Sequence, residues 1–110
     1  MVFDEFIGII QAIDPDAARY EMLGQKGDAY TVFAEYSSSP LYADGVPVLT
    51  SVSVQVDYFT RTENDPKARQ FFEAFAMNDE ITCAYKTDFE SDTRYIHHIF
   101  DCEVVCNGTL

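Results

Sequence analysis

Positive charge is scarce in this sequence: seven Lys and Arg stand against nineteen Asp and Glu, giving a formal charge of −12. A surface with that balance repels phosphate backbones and anionic lipid heads, which argues against a sequence-reading or phosphate-gripping role. Long apolar runs are also missing. Nothing approaches the ~20 residues a membrane-spanning helix needs, and the start, Met1-Val2-Phe3-Asp4-Glu5, is acidic where a signal peptide is basic. The expectation is a soluble, unexported protein without membrane partners. Cysteine is limited to Cys83, Cys102 and Cys106, an odd number without CxxC spacing. On one extended strand Cys102 and Cys106 lie ~13 Å apart, too far to bridge, so a reducing compartment fits. With five Gly and four Pro there is no linker, repeat or low-complexity tract. The 110 residues are expected to form a single α+β domain over 1–110.

What is present is apolar and aromatic side chain, 47% and 15% of the residues, enough to offset chain entropy despite the charge. Phe3, Phe6, Ile7 and Ile10 recur at helical spacing, which predicts a short first helix ending before Asp14-Pro15-Asp16. Ala18 to Leu23 and Ala29 to Tyr36 read as strands around Gly24-Gln25-Lys26-Gly27-Asp28. Aligning Tyr20 with Val32 and Met22 with Tyr30 makes them an antiparallel hairpin.

The clearest element is a third strand. Val48, Thr50, Val52, Val54, Val56 and Tyr58 alternate with Leu49, Ser51, Ser53, Gln55 and Asp57, so one face is core and the other wet. Asp65-Pro66 then supplies an N-cap followed by proline at the first helical position, and Ala68, Phe71, Phe72, Phe75 and Ala76 form the apolar face of a second helix. Strands over Ile81 to Phe89 and Tyr95 to Val105 close the chain, joined at Glu90-Ser91-Asp92-Thr93, with Cys83 set opposite Phe100 and Tyr85 opposite His98. Residues 103–110 are expected to fray as a C-terminal tail. The order α-β-β-β-α-β-β predicts a mixed, largely antiparallel sheet of four to five strands with two helices on one face.

Chemistry is thin. His97 and His98 point to opposite faces of a strand and cannot chelate one metal together, so His97 is expected in solvent and His98 beside Tyr85. The acidic loop Asp88-Phe89-Glu90-Ser91-Asp92 lacks the central glycine and terminal glutamate of a calcium loop and reads as a charged turn. No nucleophile-base order, glycine-rich phosphate cradle or zinc spacing appears, so no catalytic, metal or cofactor residue is expected and the protein reads as a non-enzyme. Two features suggest association instead. Phe33, Leu49, Phe59, Tyr95 and Ile99 fall on positions the alternation assigns outward, more apolar side chains than a small solvated face carries. Ser37 to Gly45 reads as a long polar loop with Pro40, Leu41 and Tyr42 at its centre, where a solvated tip has no use for large apolar groups.

The segment Pro40 to Gly45, the strand Val52 to Phe59 reading VSVQVDYF, the short helix after it, and Asp88 to Phe100 reading DFESDTRYIHHIF resemble the tail terminator or tail completion proteins of long-tailed bacteriophages and prophages. The order of elements is similar over nearly the whole chain. The resemblance implies a structural virion protein assembled in the host bacterial cytoplasm. It would form a ring, usually of six subunits, that caps the tail tube, ends its polymerisation and offers a surface to the head–tail connector, while DNA passes through without specific binding. Its partners would be itself, the tube protein and the connector. By position it places contacts at Ser38, Pro40, Leu41, Tyr42 and Asp44, with Phe59 and Tyr95 as further candidates. An acidic lumen wall fits such a ring, since repulsion across a Debye length of ~8 Å keeps the duplex from adhering. The rival reading is an acidic decoy that occupies the nucleic-acid site of a host protein; its acids are spread along the chain rather than arrayed, and the apolar outward positions favour an oligomer.

Overall fold

The computed structural model describes residues 1–24 and 26–107. The elements run α1 (Phe3–Ile13), β1 (Ala18–Arg19), β2 (Ala29–Ala43), β3 (Val46–Thr60), α2 (Pro66–Ala76), β4 (Ile81–Phe89) and β5 (Ile96–Asn107). The five strands form one sheet in the order β1-β2-β3-β5-β4, parallel between β1 and β2 and antiparallel elsewhere, so the fold is α+β with two helices packed against a mixed sheet.

The core lies between helices and sheet. From α1 come Phe3, Phe6 and Ile10, and from α2 Ala68, Phe71 and Phe75. They meet Val52, Val54, Val56 and Tyr58 of β3 and Phe100, Cys102, Val104 and Cys106 of β5. Phe6 stacks on Phe75 at 5.6 Å, and Phe71 and Phe75 both reach Phe100, so aromatic contacts tie the two helices to the central strands. The period-two alternation of β3 thus places Val52, Val54 and Val56 in the core, while Val48, which the same alternation assigns to the core face, is 47% exposed.

At the start of α2 one carboxylate gathers several donors. Asp65 accepts from the Lys67 amide at 2.9 Å, from the Tyr58 hydroxyl at 2.7 Å and from the Thr60 hydroxyl at 2.7 Å. The capping residue therefore anchors the helix to β3. Burial pushes the Asp65 carboxyl up, but the Thr60 and Tyr58 hydroxyls and the Lys67 amide outweigh it and hold it below the usual carboxylate range.

Four expectations need correction. The Ala18 to Leu23 strand shrinks to two residues, and it pairs parallel to β2 with Ala18 opposite Val32 and Arg19 opposite Phe33. Tyr20 leaves it at φ 74°, which ends extended structure before a hairpin could form. The face of β2 is also reversed: Phe33, expected outward, stands opposite the core residue Val56 of β3 and is 2% exposed. The polar loop from Ser37 to Gly45 is a strand and a tight turn. β2 pairs with β3 out to Ala43 opposite Val46, and Asp44 and Gly45 turn the chain with φ of 52° and 75°. Positive φ at both central residues is the two-residue turn whose twist suits a hairpin, and Gly45 takes it without a Cβ penalty. Finally, 103–107 do not fray. They lie in β5 opposite Ser53 to Leu49, with Val104 and Cys106 buried and the Asn107 amide bonded to the Met1 carbonyl at 2.8 Å. Residues 108–110 and Gln25 of the expected loop lie outside the described residues.

Candidate assembly surface

The helices cover one face of the sheet, and the alternation of β2, β3 and β5 puts a second set of side chains on the other. At the end nearest the β4–β5 turn this face is aromatic. Tyr30 stacks on Phe59 at 4.5 Å, and Phe59 stacks on His97 at 4.1 Å. Tyr95 sets its edge against both Tyr30 and Phe59, and its hydroxyl donates to the Gly27 carbonyl at 2.5 Å. The Arg61 guanidinium sits 4.1 Å above the Tyr95 ring, while its Nε–H donates to the Thr93 carbonyl at 3.0 Å. Tyr95 is buried by these contacts, so it holds the loops together rather than presenting a free ring.

Towards the middle the face turns polar and acidic. His97 Nε2 lies 2.8 Å from Asp57 Oδ1, and Gln55 donates to the same carboxylate at 2.9 Å. His97, expected in solvent, is thus partly buried between a ring and a carboxylate. The Tyr36 hydroxyl donates to Asp101 at 2.7 Å, which raises the Tyr36 pKa, and the Ser51 hydroxyl donates to Glu103 at 2.8 Å. Ile99 sits among these groups, opposite Asp57 on one side and Lys86 on the other.

The far end of the face is the hairpin. β1 pairs with β2 only at Val32 and Phe33, and β5 pairs with β3 only from Leu49 onward, so among the described residues the tip of the β2–β3 hairpin has no further strand beside it. The molecule measures 52 × 28 × 23 Å, elongated as a protruding ribbon requires. Leu41 stands opposite Leu49, and Pro40 opposite Thr50. Leu41, Tyr42, Val46 and Val48 are 46%, 64%, 59% and 47% exposed. An isolated two-stranded ribbon is marginal in water, and this one displays apolar side chains on it.

The residues singled out in the sequence therefore fall into separate places. Ser38, Pro40, Leu41, Tyr42 and Asp44 lie on the hairpin, with Leu49 at its base. Phe59 and Ile99 lie on the open face, half-buried; Phe33 and Tyr95 are buried. Tyr30, Tyr36, Val46, Val48 and His97 share these surfaces; Tyr36 and Val46 were missed, Tyr30 and Val48 were expected inward, and His97 was expected in solvent. For Val46 and Val48 the signal was Asp44-Gly45 between two β-rich runs, the strongest short-range mark of a hairpin.

One cleft of about 430 Å³ lies on the helix side, between Ala68, Arg69 and Phe72 of α2 and Tyr85 and His98 of the sheet. Two of its polar groups already serve one another: the Tyr85 hydroxyl lies 2.7 Å from His98 Nδ1, beneath the stacked Tyr58 ring, as the sequence led us to expect for His98. Burial holds the His98 pKa below its ordinary value. Among the described residues no group of three or more His, Cys, Asp or Glu gathers as metal ligands. No helix among the described residues is long and apolar enough to cross a membrane. Comparison of the chain with protein-family models and with curated proteins gives no match.

Proposed function

We propose that this chain is a ring-forming structural subunit that caps a bacteriophage tail tube, ends its growth and offers a joining surface to the head connector, as its sequence resemblance implies. The observation that carries the reading is the tip of the β2–β3 hairpin, beside which no other strand pairs among the described residues and which exposes Leu41, Tyr42, Val46 and Val48 on its two faces. Such a ribbon gains by lying on another subunit, where its apolar area leaves water at about 25 cal/mol/Å². An arm that reaches a neighbour while its own base stays in place gives a head-to-tail contact, and such contacts close into a ring when the rotation per subunit divides a full turn. The acidic decoy is less well supported because the carboxylates of the open face are engaged at home, Asp57 by His97 and Gln55, Asp101 by Tyr36 and Glu103 by Ser51.

The test is light scattering and negative-stain imaging of the purified protein beside a Leu41→Ser, Tyr42→Ser variant. Both side chains are exposed, so the variant should keep the wild-type circular dichroism while losing self-association and the capping of tubes in an assembly reaction. A wild-type protein that stays monomeric at high micromolar concentration and leaves tube length unchanged would overturn the reading.

A further inference from the structure

The observed register of the last two strands differs from the one the sequence suggested by two residues. Because side chains alternate with period two, that slip keeps every residue on its expected face. It does change the neighbours: Cys83, expected opposite Phe100, stands directly opposite Cys102. Both cysteines are free, and both face the helix side of the sheet.

The kind of pair they form follows from the backbone. The Glu90 amide donates to the Tyr95 carbonyl at 2.9 Å, and the Val105 amide donates to the Glu80 carbonyl at 3.0 Å. Hydrogen-bonded and non-hydrogen-bonded pairs alternate along an antiparallel ladder, so the even-numbered residues of β4 occupy the hydrogen-bonded positions. Cys83 and Cys102 therefore occupy a non-hydrogen-bonded position, where Cα atoms approach to about 4.5 Å and side chains come closest. That spacing lies within the range a disulfide spans. The environment is asymmetric: Cys102 is buried, while Cys83 on the edge strand is half-buried. The Cys83 and Cys102 S–H groups reach the Ala84 and Phe100 carbonyls at 3.8 and 4.0 Å, and the influence of each thiol on the other favours the thiolate at Cys83 and the protonated thiol at Cys102.

We propose that Cys83 and Cys102 form a redox-active dithiol site that small disulfide oxidants convert to an intramolecular cross-strand disulfide. The Cys83 thiolate attacks one sulfur of the oxidant's S–S bond, making a mixed disulfide and expelling one thiolate, which takes up the proton Cys83 released. Cys102 then gives up its proton, attacks Cys83 Sγ and expels the second half of the oxidant as a thiol. Two electrons and two protons leave the protein, and the oxidant is reduced to two thiols. The bond closes the loop through the β4–β5 turn and staples the edge strand β4 to β5, restricting the unfolded chain. Cys106 lies further along β5, opposite Thr50 of β3 and with no β4 partner, so it takes no part. The inference does not depend on the assembly reading above.

The experiment incubates the folded protein with oxidised glutathione at neutral pH, followed by alkylation, denaturation and thiol counting. The three thiols should fall to one, peptide mapping without reductant should show a Cys83–Cys102 link with Cys106 alkylated, and the melting temperature should rise. Cys106→Ser should form the same link, whereas Cys102→Ser should stop with glutathione held on Cys83. Should Cys102→Ser fail to fold, the wild-type map decides. Three surviving thiols, a wild-type protein that stops at the mixed disulfide, or a link involving Cys106 would each overturn the proposal.

Discussion

Replacing Asp65 by alanine tests how far one carboxylate organises the helix side of this fold. The substitution removes the N-cap acceptor of the Lys67 amide, which costs about 1 kcal/mol in comparable helices. It also strips the Tyr58 and Thr60 hydroxyls of a charged acceptor, and both residues are almost wholly buried. A buried donor left without its partner costs about 1–3 kcal/mol, and the two hydroxyls are close enough to relieve one another in part. The sum is roughly 4 kcal/mol, a large share of the 5–15 kcal/mol typical of a domain of this size. With a urea slope of about 1.5 kcal/mol/M the unfolding midpoint should fall by roughly 2.7 M at unchanged slope. Asp65→Asn keeps an acceptor oxygen for the cap or for a hydroxyl and should cost about half as much. Because the folded carboxyl titrates below its unfolded value, its stabilisation is present above pH ~4 and is lost as the pH falls through the lower folded value. A loss under about 1 kcal/mol for Asp65→Ala, or equal losses for both variants, would refute the shared-acceptor account.

The reversed face of β2 predicts that Phe33→Ala costs about 3–5 kcal/mol in urea unfolding, as core Phe truncations do, while Leu49→Ala on the half-buried open face costs far less; equal costs would return Phe33 to the surface. Burial lowers the His98 pKa, so the unfolded chain takes up a proton near the ordinary value of about 6.5 before the folded chain does, and stability should decline as the pH falls from 7 towards 5. His98→Gln should flatten that decline, measured as the unfolding midpoint against pH, and an unchanged slope would exclude His98 as its source.

How much of this was legible in the sequence depends on how far each signal reached along the chain. Helix α2 was readable in full because its cap, its Pro66 and its apolar spacing are local and agree. Strand β3 was readable because a half-buried strand must alternate, and its valines do. The hairpin was obscured by Ser37-Ser38-Ser39-Pro40, a run with weak strand preference. It is extended because β3 offers a complete ladder to pair with, and pairing overrides propensity.

By itself the sequence determined the acidic charge, the α+β class, the order of the elements and the inward face of β3, β4 and β5, because composition and periodicity are local properties. Register, the direction of β1 and the face of β2 were decided by the tertiary structure alone. A slip of two residues leaves the hydrophobic pattern unchanged and so cannot be read from it, although it decides whether Cys83 meets Phe100 or Cys102. The face of Phe33 likewise turned on the β2–β3 register, which sets it opposite the inward Val56. That pairing joins residues far apart in the chain, and no local pattern records it.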